Sequence, residues 1–184
     1  MGRVYARGTF TGAYHARGNP LEADALIGCA FAQPASEGQF WGLANEDLAA
    51  FISRLGIMRR VPLLLDRNIA RALERKFRGP EPALTFTGEA SALTSLNRGT
   101  KGELAQSLAY LEAHDLRRPV IVGQAHHIGR IALQAERLGM EPIIPPGLPD
   151  RFDPGSVQPW PHGPVAWAIR EAIGLPVLHL TGKL

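Results

Sequence analysis

What the chain lacks narrows it first. It has a single cysteine, Cys29, so no internal disulfide can form, which fits a reducing compartment. Its apolar runs fall short of the roughly 18 residues needed to cross a bilayer. The opening MGRVYARGTFTG has no apolar stretch of the kind a signal peptide needs, and Ala6 stands where a myristoylation site wants Ser or Thr. The expectation is a cytoplasmic protein with no membrane partner. The basic groups Arg54–Arg60 and Arg71–Arg78 are short and interrupted by apolar positions, so they read as solvated helix faces and no nucleic-acid partner is expected. No G-x-G-x-x-G follows the first strand, and Walker and G-x-S-x-G patterns are missing too. Without a Cys pair or His-Glu-x-x-His arrangement, no metal is expected.

What remains is an ordinary globular balance, 45% hydrophobic and 20% charged with a net charge of +3, over a length suited to a single domain, 1–184. Apolar strand-like runs alternate with amphipathic stretches about five times, which predicts an α/β fold: a Rossmann-like three-layer sandwich with a mostly parallel sheet. The strands are expected at Ala23–Phe31, Val61–Leu65, Ala83–Gly88, Pro119–Val122 and Glu141–Pro146. Helices are expected between them, one capped by Asn45, one over Asn68–Phe77 and one opened by a Thr100–Glu103 capping box. A last helix, Val165–Gly174, is expected to turn Val165, Ala168, Ile169, Ala172 and Ile173 inward, with Pro176–Leu180 as an edge strand. Residues 1–22 read as an N-terminal arm. Residues 146–163, rich in Pro and Gly, read either as a lid over the site, with Arg151, Asp153, Trp160 and His162 facing a ligand, or as a static crossover that packs Trp160 on the body.

The stretch around which the rest is organised is Pro119-Val-Ile-Val-Gly-Gln-Ala-His-His-Ile-Gly-Arg130. It reads as a buried strand turning into a helix whose apolar stripe is Ile128, Ile131, Ala132, Ala135 and Leu138. Gln124, His126, His127 and Arg130 thus lie where the carboxyl end of a strand meets a helix amino terminus, the edge at which α/β sheets bind ligands and free backbone N–H groups favour anions. Arg130 can grip two oxygens of a phosphate or carboxylate with its fork, and His127 can donate a hydrogen bond or move a proton near neutral pH. Equally, the histidines can serve only the loop, and Arg130 can pair with Glu136 or a surface acid. The same edge gathers Cys29, Asp66, Thr87, Gly88 and Glu89, with Cys29 read as packing, and the capping-box role of Thr100 and Glu103 leaves Glu103 free to face the pocket. His127 and Glu103 are the candidate catalytic pair. Arg130, His126, Gln124, Thr87, Gly88, Glu89 and Thr100 are the candidate ligand-binding set.

Over roughly residues 23–175 these motifs resemble the YdcF-like domain family. Val120-Ile-Val-Gly-Gln-Ala-His-His-Ile-Gly-Arg-Ile-Ala132 is similar to the family's strand followed by Ser-Ala-Tyr-His-x-x-Arg-Ala, with His127 and Arg130 on its His and Arg and Gln124 at its Ser. Ala23–Gly28 resembles the opening strand, Thr85–Gly88 the strand ending in Ser-Gly, Thr100 and Glu103 the Thr-x-Glu-Asn motif with one residue extra and no Asn, and Arg170-Glu171 a later Arg-Glu. Where the family has a glycine cluster, this chain has Cys29-Ala-Phe-Ala-Gln-Pro34. The resemblance implies a Rossmann-like domain with a pocket at these loops. It also implies a small-molecule ligand that is phosphate-bearing or nucleotide-like, S-adenosylmethionine included, bound by an enzyme or by a non-catalytic sensing module.

Overall fold

Four short runs of apolar residues build the centre of the molecule, because a strand covered by helices on both faces must be apolar on both. They are β1 (Ala25–Gly28), β2 (Leu63–Asp66), β3 (Leu84–Phe86) and β4 (Pro119–Val122). In the computed structural model, which describes residues 15–33, 41–86 and 99–180 and side chains as far as residue 173, all three pairings are parallel and the order is β3-β2-β1-β4. Ile143 bridges Val120 in parallel, where the sequence suggested a fifth strand, and Ile144 bridges Arg17 of the arm in antiparallel sense. Leu26, Ile27, Leu64, Leu65, Val120, Ile121 and Val122 are buried in full or nearly so.

Helices α1 (Leu43–Arg54), α2 (Arg67–Phe77), α3 (Thr100–Ala113), α4 (Ala125–Arg137) and α5 (Pro164–Leu180) follow the strands. The chain steps from β1 outward to β2 and β3, then returns across β1 to β4. Right-handed crossovers put the two outward connections on one face and the returning ones on the other; α1 packs on α2, and α3 on α4. This is the expected three-layer Rossmann-like fold. Its winding reverses between β1 and β4, and the crevice at their carboxyl ends is the topological switch point.

Several local expectations need correcting. Gly42, not Asn45, caps α1. Asn45 is buried inside the first turn, where Oδ1 accepts from Phe31 N (3.0 Å) and Nδ2 donates to Ala32 O (2.7 Å) and Trp41 O (2.8 Å). It ties α1 to the end of β1. Gly99 caps α3 and no side-chain cap bond forms there, so the Thr100–Glu103 capping box is not made. Pro176–Leu180 continues α5 as helix and is not an edge strand. The α5 stripe is also inverted: Val165, Ile169 and Ile173 are exposed, while Trp167 and Glu171 are buried. Helix α5 docks through an aromatic and ionic face, which outweighed its aliphatic one. Thr87, Gly88 and Glu89 lie outside the described residues.

Residues 146–163 are fastened across the carboxyl edge. Val157 N donates to Gln33 O (2.9 Å), Gln33 N to Ser156 Oγ (3.2 Å) and Ser156 Oγ to Gln33 O (3.1 Å). Leu148, Asp153, Ser156 and Pro161 are buried, Arg151 pairs with Asp47 at 3.7 Å, and His162 Nε2 lies 2.7 Å from Ser156 O. Trp160 lies against Arg170, its ring centre 5.8 Å from the guanidinium.

Asp153 also fixes the entry to α1. Gly42 has φ 85°, and a Cβ there would stand 2.5 Å from the buried Asp153 Oδ2. Gly42→Ala therefore combines a left-handed backbone penalty with a clash against a carboxylate. It is expected to cost roughly 1–3 kcal/mol, read as a lower denaturation midpoint in urea; an unchanged midpoint would contradict this account of the turn.

Candidate functional site at the switch point

The strand-to-helix turn after β4 is closed by its own residues. Gln124 caps α4: its Oε1 accepts from His126 N (2.8 Å), and its Nε2 donates to Asp150 O (2.9 Å). Ala125 N donates to Pro149 O (2.8 Å) and His127 N to Gln124 O (2.8 Å). The first backbone donors of α4 are thus engaged, which removes the expected helix N-terminal receptor. Gln124 is fully buried with both ends of its amide used. His126 stacks on Phe152, ring centroids 5.2 Å apart.

His127 and Arg130 stand one turn apart on α4, so they share a face. That face looks across the switch point to α5 and the start of α3. Arg130 Nη2 is 2.7 Å from His127 Nε2, and Thr100 Oγ1 is 3.3 Å from the same nitrogen. A guanidinium can only donate, so Nε2 is the acceptor and the imidazole proton is on Nδ1. Nδ1 itself is buried with no hydrogen-bond partner. Burial, then the charges of Arg130 and Arg170, push the His127 pKa well below its usual value. The ring is therefore neutral at physiological pH.

Two cations converge on one anion beside it. Glu171 Oε1 lies 2.9 Å from Arg170 Nη1 and 3.4 Å from Arg130 Nε. The side chains of Arg130 and Glu171 are only 12% and 11% exposed. Burial lowers the Arg130 pKa to about 10; Glu171 opposes that fall and Arg170 adds to it. Burial also lowers Arg170, against the pull of Glu171. Arg130 Nε is enclosed yet forms no proper hydrogen bond. Trp167 backs the group, its ring centre 5.9 Å from the Arg130 guanidinium and 4.9 Å from that of Arg170, and Phe31 lies 5.0 Å from Trp167, centroid to centroid. Among the described residues, two guanidiniums stand against one carboxylate in this cluster, an excess of positive charge.

A second polar group lies on the β2 side of the same edge. Glu103, on the first turn of α3, lies beside the buried Cys29 thiol after β1 and feels Asp66 at the end of β2. Burial first, and the Asp66 charge second, raise the Glu103 pKa to about 8, against the neighbouring Cys29 thiol, which lowers it. Its Oε2 is enclosed without a partner. Burial likewise raises Asp66 and Cys29. Asp66 also caps α2, accepting from Asn68 N at 2.7 Å. Glu103 is therefore a carboxylic acid near neutral pH, able to donate a proton.

The sequence brought His127 and Arg130 to one edge, and the structure keeps them there and sets Thr100 3.3 Å from His127 Nε2, with Glu103 one turn further along α3. Arg130 takes Glu171 as its carboxylate, while Glu136 pairs with Arg17. Arg170, Glu171 and Trp167 were missed as members of the site; the adjacent Arg-Glu pair was the available signal. No group of three His, Cys, Asp or Glu side chains able to hold a metal occurs among the described residues, and no helix among them is long and apolar enough to cross a membrane. A separate groove of about 520 Å³, lined by Pro20, Leu21, Phe51, Arg54, Leu55 and Pro145–Gly147, carries one cation, Arg54. No family model, curated protein or solved structure matches the chain.

By NMR, His127 is expected to stay neutral as pH falls through its usual value near 6.5, with Nε2 showing the shift of an unprotonated acceptor. A folded protein whose His127 titrates near 6.5 would contradict it. Because the folded state resists this proton, His127 subtracts stability as pH falls through the unfolded-chain value near 6.5.

Proposed function

We propose that the chain is a YdcF-like small-molecule enzyme acting on a phosphate-bearing or nucleotide-like metabolite at the carboxyl ends of its parallel strands. The observation that carries this reading is the nearly enclosed Arg130 guanidinium and the half-buried Arg170 guanidinium sharing a single carboxylate at the switch point. A surplus cation in a low-dielectric site attracts an anion far more strongly than one at the surface, and the planar fork suits phosphate oxygens. Half-buried Phe152, backed by the buried Phe31 and Trp167, supplies flat apolar surface beside it for a base or similar ring. In this reading Arg130 anchors the anion, neutral His127 orients it with Thr100, and Glu103 is the proton donor.

The rival is a non-catalytic nucleotide-binding or sensing module. It is favoured by one feature: the acceptor nitrogen of His127 is already occupied by Arg130, leaving no free lone pair for a general base. S-adenosylmethionine fits the cluster less well, since its sulfonium would add a cation where positive charge is already in excess. A panel of nucleotides and sugar phosphates, followed by thermal shift and by product formation, tests both readings. Enzyme and module alike require stabilisation that Arg130→Ala abolishes, and only the enzyme gives turnover. No stabilisation by any phosphate compound would overturn both.

A further inference from the structure

Glu171 is in an unusual position for a surface-helix acid. Its carboxylate is nearly closed off from solvent, and one oxygen, Oε1, serves both Arg170 Nη1 (2.9 Å) and Arg130 Nε (3.4 Å). The second of these contacts is too long and too poorly aligned to satisfy Arg130 Nε, which stays unpartnered though enclosed. Arg170 lies between Trp160 and Trp167, 5.8 and 4.9 Å from their ring centres. The receptor is therefore built and rigidly backed, but the group inside it fits imperfectly. The backbone donors at the α4 terminus are consumed by Gln124 and Pro149, which leaves the two guanidiniums as the anion receptor among the described residues of this edge.

We propose that Arg130 and Arg170 form the phosphate seat and that Glu171 fills it in the free protein, to be displaced by a dianionic phosphate group of the ligand. This rests on the functional reading above and adds the ligand's charge class to it. A tethered carboxylate competes at an effective concentration on the order of millimolar. A free carboxylate has the same charge and geometry, so it gains little over Glu171. A phosphate monoester brings a second charge and a third oxygen, enough to reach Arg130 Nε as well as both forks. Glu171 is thus a specificity element that excludes carboxylates and admits phosphates. Displacement also loosens α5, since Trp167 and Glu171 are the buried residues of its described part.

The test is a titration of parent, Glu171→Gln and Arg130→Ala with inorganic phosphate and with acetate at fixed ionic strength, followed by Trp fluorescence and by amide hydrogen exchange across α5. Glu171→Gln is expected to bind phosphate at least tenfold more tightly than the parent and to gain acetate binding that the parent lacks. Phosphate added to the parent is expected to speed exchange in α5. Glu171→Asp, which draws the carboxylate back by one methylene, should lie between parent and Gln. If the parent binds phosphate through Arg130 while Glu171→Gln binds it no better, or if phosphate slows exchange in α5, the seat-filling role is wrong and the functional reading survives. Should neither parent nor Glu171→Gln bind phosphate, both are wrong.

Discussion

Glu103→Gln will be more stable than the parent at pH 9 and nearly equal to it at pH 4.5. The Glu103 carboxyl is raised from 4.5 to about 8, chiefly by burial. Below the lower value it is protonated whether the chain is folded or not, and it has no effect. As pH rises the unfolded chain gives up this proton and the folded one holds it, so stability falls by about 1.4 kcal/mol per pH unit until the folded group ionises. The ceiling of that loss is about 5 kcal/mol. Glu103 is buried only in part at its edge, which brings the expected gain for Gln to roughly 2–4 kcal/mol. His127 acts in the opposite direction at low pH, but it is common to both proteins and cancels in the comparison. Urea unfolding from pH 4.5 to 9 checks the prediction; parallel pH profiles would show that Glu103 ionises normally and is no acid at neutral pH.

Arg130→Ala will weaken binding of a phosphate compound at least about tenfold and toward a hundredfold, the range given by roughly 1.5–3 kcal/mol for one charge-assisted hydrogen bond. Arg130→Lys should lose nearly as much. Its ammonium is a point charge that cannot present two parallel donors, and it cannot hold the 2.7 Å contact to His127 in the same geometry. Calorimetric titration with the best compound of a phosphate panel measures it, with circular dichroism to confirm that each variant is folded. Equal affinities for Lys and parent would reduce Arg130 to a diffuse charge.

How much of this was legible beforehand depended on the kind of force involved. The alternation of buried runs exposed β1, β2 and β4 because a parallel strand has to be apolar on both faces, and the α4 stripe followed from Ile128, Ile131 and Ala135 in the same way. Gln124, His127 and Arg130 could be brought to one edge by topology alone. Caps were less legible. Asn45 and Thr100 have the right chemistry for an N-cap, but Asn45 sits three residues past the cap of α1 and Thr100 one residue past that of α3, each turned to a tertiary partner, Phe31 and Ala32 for Asn45 and His127 for Thr100. Helix α5 defeated periodicity outright. Its aliphatic stripe promised burial, yet the contacts of Trp167 with Phe31, His127 and both guanidiniums, with Glu171 beside them, fixed the opposite face. Such contacts run between residues distant in sequence, so no local pattern announces them.

The most direct test of the central claim, that the β1/β4 crevice holds an anion seat made by Arg130 and Arg170, is a crystal structure of the parent protein soaked with a phosphate monoester at low sulfate. The account predicts density for the phosphate against both guanidiniums, with the Glu171 carboxylate moved off Arg130. Phosphate bound instead at Arg54 in the groove beside Phe51, with the Arg130–Glu171–Arg170 contacts unchanged, would contradict it.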